Sequence, residues 1–426
     1  MAKLTRRDLG AGALGGAAAL WSGRAIAKKR RLRVLLFAMN YTKGLQKLAG
    51  AFEAKTGIAA DIEVIGQDVF ENRITLSFTG RTGDIDVVHT PAIQVQRWVR
   101  AGWLDPLTQQ VAGMPQKGDL LKSALDSYVV HDKTWGVPFF AEVGLMSYRK
   151  DILDKAGQKP PQTWNDMLKV AKAISTKRTA AIAMRCAPGQ GFNMFVFPMI
   201  MRAYGGKFFE HYPDNLTPAI DSPANLRALD VYSTLMNKYG PPGIGNFNYP
   251  EVAAAAEAGK VAMVVDGTSI IIQVVDPKLS QFAKETRIAL PPGGPAGRSP
   301  AIAVHGLGIP ASARDPDASF QFIQWATSPE TITKIALDDP FPDFVLASVA
   351  KNPAVIKKYA AIQPDFLDLR VAALAMANPD YRPLIPSWPE IGEAIGDNVN
   401  AALTGVKSPR DALKAAQNEM KSIMGT

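Results

Sequence analysis

Glu142, Asp266 and His305 each stand where an apolar run ends or turns, and Asn40, Tyr41, Gln67 and Asp68 follow two others. Carboxylates, amides and a neutral imidazole in such places can form paired hydrogen bonds with groups that both donate and accept, above all hydroxyls. Phe139 and Phe140 directly precede Glu142, and Trp388 lies between Pro386-Ser387 and Pro389. These rings offer faces on which the C–H side of a polyhydroxylated molecule can stack. Each residue also has a plainer reading: Asn40 as a helix cap, Asp266 as a turn former, Glu142 in a local ion pair, His305 and Trp388 as packing. Catalysis would instead need two carboxylates of opposed protonation about 5 to 10 Å apart. The chain adds no nucleophile elbow and no phosphate loop. His89, His131, His211 and His305 are scattered without metal-ligand spacing, so no metal and no cofactor is expected. Cys186 is the only cysteine, which excludes an intramolecular disulfide and reads as a small buried residue. Arg185, just before it, could face the ligand cleft.

The elements that must hold these residues follow from the pattern. Leu32 to Phe37 is a continuous apolar run suited to a buried parallel strand. Asn40 to Lys43 reads as a polar loop. Gly44 to Thr56 has helical spacing and is closed by Gly57. Ala60 to Ile65 is a second strand, Phe70 to Phe78 a helix, and Ile85 to His89 a third strand. This alternation is that of an α/β unit with a parallel sheet, in which ligands bind beyond the carboxyl ends of the strands. The middle of the chain is more helical. Thr163, Ser222, Ser328 and Ser408 stand at helix starts, the last three before a proline. Val261 begins a strand that Asp266-Gly267-Thr268 ends, and Ala180 to Met184 is another.

The N-terminus carries a different signal. Arg6-Arg7 precedes a short apolar run, Leu9 to Trp21, and Ala25-Ile26-Ala27 follows. A charged start, a short apolar middle and an A-x-A end make an export signal, here of twin-arginine type, cleaved after Ala27. Thirteen residues reach only about 20 Å as a helix, short of a ~30 Å hydrocarbon core. The net charge is +9, which might suggest nucleic acid. Lys3, Arg6, Arg7 and Arg24 against Asp8 leave six of those charges to the mature chain, and Lys28, Lys29, Arg30, Arg31 and Arg33 account for five of the six. The body is near neutral, so nucleic acid is not an expected partner and the basic tail reads as solvated. No stable membrane anchor is expected.

An ordered set of short motifs resembles a known family. Trp135-Gly136-Val137-Pro138-Phe139-Phe140-Ala141-Glu142, Met146 to Asp151 and Pro160-Pro161-Gln162-Thr163-Trp164 come first. Ala258 to Met263, Gly306 to Pro310, Phe322 to Ser328 and Ala401 to Leu413 follow in the same order. Together they resemble the sugar-type extracellular solute-binding proteins of ABC importers, the group of the maltodextrin-binding protein. Gly189-Gln190-Gly191-Phe192-Asn193-Met194, Gly205 to Phe209 and Lys238 to Gly243 are similar to its sorbitol/mannitol-type members. Those members often carry Gly-Thr-Arg where this chain reads Asp339-Pro340-Phe341-Pro342-Asp343.

The resemblance implies an α/β, two-lobe periplasmic-binding-protein fold with hinge crossovers and a ligand cleft between lobes. The signal peptide would be residues 1–27. Lobe one would hold 28–138 plus 305–347, and lobe two 139–304 plus 348–426. The protein would be a periplasmic monomer and no enzyme. It would close over a neutral sugar or sugar alcohol and deliver it to the transmembrane subunits of an ABC permease. Implied ligand contacts are Asn40, Tyr41, Asp68, Phe139, Phe140, Glu142, Gln190, Asn193, Asp266, His305 and Trp388. The alternatives are the same fold around an organic acid, an iron complex or a polyamine, or an exported carbohydrate-active enzyme.

Overall fold

The structure, a computed structural model, describes residues 30–378 and 380–426. The export signal and its cleavage site lie outside the described residues. Strand β1, Arg31–Phe37, is buried almost throughout because its apolar run meets helices on both faces. It pairs in parallel with β2, Ala59–Ile65, and with β3, Val87–Pro91. Between them lie helices α1 (Asn40–Lys47), α2 (Ala49–Thr56) and α3 (Gln67–Gly80), and α4 (Ala92–Arg100) follows β3.

Two local expectations are corrected here. Asn40 to Lys43 is no loop but the first half of α1. The Met39 N–H donates to Thr42 Oγ1 at 2.9 Å and that hydroxyl donates to the Phe37 carbonyl at 2.8 Å, so the helix starts directly off the strand. The helix expected from Gly44 to Thr56 is two, broken at Leu48 and ended by Gly57 at φ 73°. In the basic stretch, Arg30 and Arg31 stay exposed while pairing with Asp315 and Asp61, and Arg33 pairs with buried Asp86.

The central feature is β4, Val137–Arg149, thirteen residues long and shared by two sheet segments. After β4 come α5 (Trp164–Ile174), β5 (Ala180–Ala183), α6 (Asn193–Ala203) and α7 (Pro223–Tyr239). Then come β6 (Val261–Gly267), α8 (Thr268–Val274), β7 (Thr286–Ala289) and β8 (Ile302–Gly308). The strand order is β2-β1-β3-β8-β4-β6-β5, with β7 also on β4. The first half of β4 runs antiparallel to β8, and the second half pairs with β6 and β7. The handover falls at Val143–Gly144. A Cβ on Gly144 would come within 2.9 Å of the Ala301 nitrogen, so only glycine lets the chain pass there.

Helices α9 (Pro316–Ala326), α10 (Pro329–Asp338), α11 (Phe366–Met376), α12 (Trp388–Leu403) and α13 (Pro409–Met424) complete the chain. The capping signals hold: Thr163, Ser222, Ser328 and Ser408 each accept a backbone N–H three residues on. One apolar core runs through both halves. No helix among the described residues is long and apolar enough to cross a membrane.

Candidate functional site

A cavity of about 1030 Å³ opens between the two halves, at the carboxyl ends of β1 and β3 and over the shared strand. One wall comes from the β1 and β3 side, with Phe37, Asn40, Lys43, Glu71, Gln94 and Arg97. The opposite wall has Gln190, Phe192, Phe195, Tyr249, Arg382 and Glu393. The floor is Glu142, Arg185, Ser269 and His305. The two walls meet where α4 packs on α12. There Gln94 donates to Glu71 at 3.4 Å. Burial raises the Glu71 carboxyl above its ordinary range, Arg97 opposes this, and Glu393 from the far wall adds to it.

The floor is built around one buried guanidinium. Arg185 donates from Nε to Asp266 at 2.9 and 3.1 Å, and from Nη1 to the Gly191 carbonyl at 2.6 Å. Its guanidinium lies 4.2 Å from the Phe195 ring centroid, a cation–π contact, and 3.7 Å from Glu142 Oε1. Glu142 is buried and accepts from the Ser269 hydroxyl. Burial raises its carboxyl, with Arg185, Ser269 and Arg382 opposing. A Cβ on Gly267 would lie 1.9 Å from Glu142 Oε1, so this glycine makes the space the carboxylate occupies. Arg382 donates from Nη1 to the Gln190 carbonyl at 2.6 Å and joins no ion pair among the described residues. Burial lowers it to about 10.

His305 links this floor to the paired phenylalanines of the joint beneath it. His305 stacks on Phe140 at 4.3 Å, Tyr41 on Phe139 at 4.2 Å, and His89 on Phe37 at 3.7 Å. His305 Nδ1 and His89 Nε2 share a hydrogen bond of 2.9 Å. Burial, reinforced by the Arg382 and Arg185 charges, lowers His305 to about 3, so the rings stay neutral. Behind the strand, Asp343 accepts from the Thr268 hydroxyl, and Arg370 Nε lies 3.8 Å away. Burial pushes Asp343 up to about 7, Arg370 opposing and Glu142 adding.

Of the residues expected from sequence, Asn40, Glu142, Gln190 and His305 line the cavity. Gln190 donates to the Pro389 carbonyl at 2.9 Å, while its buried Oε1 has no partner among the described residues. Six others do not reach the wall. Phe139 and Phe140 are both buried, although strict alternation along a strand would turn one of them toward the cleft. Their rings lie 5.0 Å apart in one aromatic cluster with Tyr41, His89 and His305, and the pairing with β8 shifts at Phe139, so strict alternation does not hold there. Tyr41 is buried and donates to the Ala326 carbonyl at 3.0 Å. Asn193 ties α6 to the Gly396 carbonyl at 2.7 Å. Asp266 is wholly buried under Arg185. Trp388 opens α12, buried edge-on against Phe208 at 4.8 Å, because a helix does start there. Asp68 falls in the first turn of α3, and its side chain lies outside the description. Arg382, Ser269, Phe192, Phe195 and Tyr249 were not expected. For Ser269 the signal was its place two residues beyond Asp266-Gly267. For Arg382 it was a charge beside Pro383 in an irregular stretch between helices.

A model of the bacterial extracellular solute-binding protein family matches residues 39–332. The mannitol-binding protein of Pseudomonas aeruginosa is 28% identical over 398 residues, 88% of either chain. An ABC transporter solute-binding protein from Agrobacterium radiobacter K84, solved in complex with ribitol, superposes with a TM-score of 0.85 at 25% identity, over 92% of this chain and 98% of that one. Another from Agrobacterium vitis S4, with bound D-mannitol, gives 0.82 at 27% identity, over 93% and 98%.

Proposed function

The chain belongs to the bacterial extracellular solute-binding protein family, and we propose that the solute it captures in the cavity is a neutral sugar or sugar alcohol. It is a solute-binding component of an ABC transporter. One observation carries the ligand class: the cavity floor and wall set a carboxylate, Glu142, and an ion-unpaired guanidinium, Arg382, among the aromatic faces of Phe192, Phe195 and Tyr249. At the floor Glu142 and Asp266 face Arg185 and Arg382, so charge balances there and neither an organic acid nor a polyamine finds a surplus of counter-charge at the floor. Hydroxyls meet both groups, and C–H faces meet the rings. The names of the mannitol-binding relative and of the ribitol and D-mannitol complexes favour the same class.

The ligand contacts we assign are Asn40, Glu142, Gln190, His305, Arg382 and the three aromatic residues. The lobes divide at the shared strand, with residues 28–138 plus 305–347 in one and 139–304 plus 348–426 in the other. Closure about that joint brings the walls together and presents the closed form to permease subunits, a hinge motion of the kind periplasmic binding proteins undergo. The protein works as a monomer without turnover, exported through the twin-arginine route and cleaved after Ala27.

A thermal-shift panel of sugars and sugar alcohols tests this. Ligand at 100 times its Kd adds about 2.7 kcal/mol, an easily read rise in melting temperature. Stabilisation by charged solutes with none by any sugar or polyol would overturn the ligand class. Conversion of a bound sugar on incubation would overturn the receptor reading.

A further inference from the structure

Between helices α11 and α12 the chain runs without regular structure, and Asp380, Tyr381, Arg382 and Leu384 of that stretch all line the cavity. This strap lies beyond residues 39–332, the span that the family model matches, so it adds to the cavity what that span does not carry. An irregular segment has no ladder to set its position, so its polar groups are placed by side-chain ties. Arg202 of α6 donates to the Asp380 carbonyl, and Tyr381 donates its hydroxyl to the Phe195 carbonyl on the same helix at 2.5 Å. The Leu384 N–H donates to the Tyr212 hydroxyl at 3.0 Å. A further tie leaves the strap: Arg382 Nη1 donates to the Gln190 carbonyl at 2.6 Å.

Gln190 belongs to a short loop that brings Gln190 and Phe192 to the cavity and then enters α6 at Asn193. Two cations hold its successive carbonyls, Arg382 that of Gln190 and Arg185 that of Gly191, the second also at 2.6 Å. Arg185 is committed to Asp266 as well. Arg382 reaches no other acceptor among the described residues, so its Nε and Nη2, one edge of a planar donor fork, remain for the cavity it lines. We infer that the strap reads the ligand as one unit with the Gln190 loop: Tyr381 is a positioning residue that holds Arg382 in place, and Arg382 both fixes the loop and presents its free edge to the ligand. Tyr381 is 1% exposed and spends its one hydroxyl proton on Phe195, so it acts through its neighbour and not by donating to the ligand. The ties close a circuit from α6 through Tyr381 and Arg382 to the loop that leads back into α6. A displaced strap therefore moves two ligand-facing parts together, the Arg382 edge and the Gln190–Phe192 loop. A mere packing role for Tyr381 would need only its ring.

This inference rests on the ligand site proposed above, and the test separates the two. Affinity is measured by calorimetry with the tightest-binding member of a sugar and sugar-alcohol series that includes D-mannitol and ribitol. Tyr381→Phe keeps the ring and removes one hydrogen bond, and it should weaken binding about 3- to 10-fold. Arg382→Met removes a charged donor and should weaken binding about 10- to 100-fold. The double variant should bind like Arg382→Met alone, because Tyr381 acts through Arg382. Hydrogen exchange on the ligand-free protein gives a second readout. The Phe192 and Met194 amides bond to the Gly189 carbonyl and the Asn193 amide to the Ala187 carbonyl, so they report on the loop. All three should exchange faster in Arg382→Met and, to a smaller degree, in Tyr381→Phe. Wild-type affinity in Tyr381→Phe, or additive losses in the double variant, would overturn the inference. So would unchanged exchange at these amides in a folded Arg382→Met variant. Tyr381→Phe decides the matter by itself should Arg382→Met not fold. If no member of the series binds, the neutral-ligand reading falls, while the loop amides still decide whether the strap positions the loop.

Discussion

Replacing Asp266 by Asn should unfold the protein more readily before it does anything to ligand binding. Asp266 has no exposed surface, and Arg185 is 5% exposed. Their contacts at 2.9 and 3.1 Å are what keep a guanidinium in the interior. Removing one partner of a buried pair costs about 3–5 kcal/mol, because the remaining charge stays desolvated. Glu142 Oε1, 3.7 Å from Arg185, remains as a second carboxylate. It is held by Ser269 and makes no hydrogen bond to the guanidinium, so it offsets only part of the loss. The lower end of the range, about 3 kcal/mol, is the expected cost. A cooperative unit of 150–250 residues shifts by about 2–4 °C per kcal/mol, which puts the fall in Tm at roughly 6–12 °C. Calorimetric melting of the ligand-free protein reads it directly. The double variant Arg185→Met with Asp266→Asn should recover part of the loss, since it removes the stranded charge. The reasoning fails if the single variant melts within about 2 °C of the wild type, or if the double variant is less stable than Asp266→Asn alone.

Asp343→Asn tests the back of the joint by pH. Asp343 is pushed up to about 7 by burial against ~3.9 in an unfolded chain, so the native state holds a proton that the unfolded state lacks. Its contribution is therefore full below about pH 4 and is lost as pH rises through 7. Between pH 5 and 7 the wild type should lose about 2–3 kcal/mol relative to Asp343→Asn, and an identical gap in urea midpoints at both pH values would contradict this. Gly267→Ala should displace the Glu142 carboxylate, whose oxygen lies 1.9 Å from where the new Cβ would sit. The expected cost is about 1–3 kcal/mol with weaker ligand binding, and unchanged values of both would show that Glu142 can sit elsewhere. Trp388→Ala should cost about 3–5 kcal/mol as a core deletion, with apparent affinity of the folded fraction nearly unchanged; a lost affinity at unchanged stability would return Trp388 to the cleft.

Local signals in the sequence were reliable wherever one residue's chemistry settles the matter. The strand Arg31–Phe37, the four Ser and Thr caps and the glycine ending α2 all follow from neighbours within four positions. Glu142 and His305 could be placed at the cleft because they flank crossovers. The errors came from partners distant in sequence. Period-two alternation would send Phe139 and Phe140 to opposite faces, but the register against β8 shifts at Phe139, and both rings join one buried cluster with Tyr41 and His305. Asp266 stood at a strand end next to glycine, which is equally the place for a ligand contact or a buried counter-ion. The deciding fact was Arg185, 81 residues away. Trp388 stands between two prolines, yet Pro389 sits in the first turn of α12, where a missing N–H costs nothing, so the ring is buried by the helix it opens.

Two carboxylates lie on opposite sides of the same joint, and contact distance decides how each behaves. Asp266 meets its arginine at hydrogen-bonding distance, 2.9 Å, and its charge is matched. Asp343 is as deeply buried, yet Arg370 Nε stays 3.8 Å away and gives its Nη2 protons to the Phe344 and Ala141 carbonyls. Without direct pairing, desolvation prevails and the acid is held near neutrality. The two sides are joined by successive hydroxyls at the start of α8. Thr268 donates to Asp343 and accepts the Val143 N–H at 3.2 Å, while Ser269 donates to Glu142. Val143 is also where the shared strand passes from β8 to β6. One short turn therefore fixes the cavity-floor carboxylate, the titrating acid behind it and the backbone at the handover, so a movement of any of the three strains the other two.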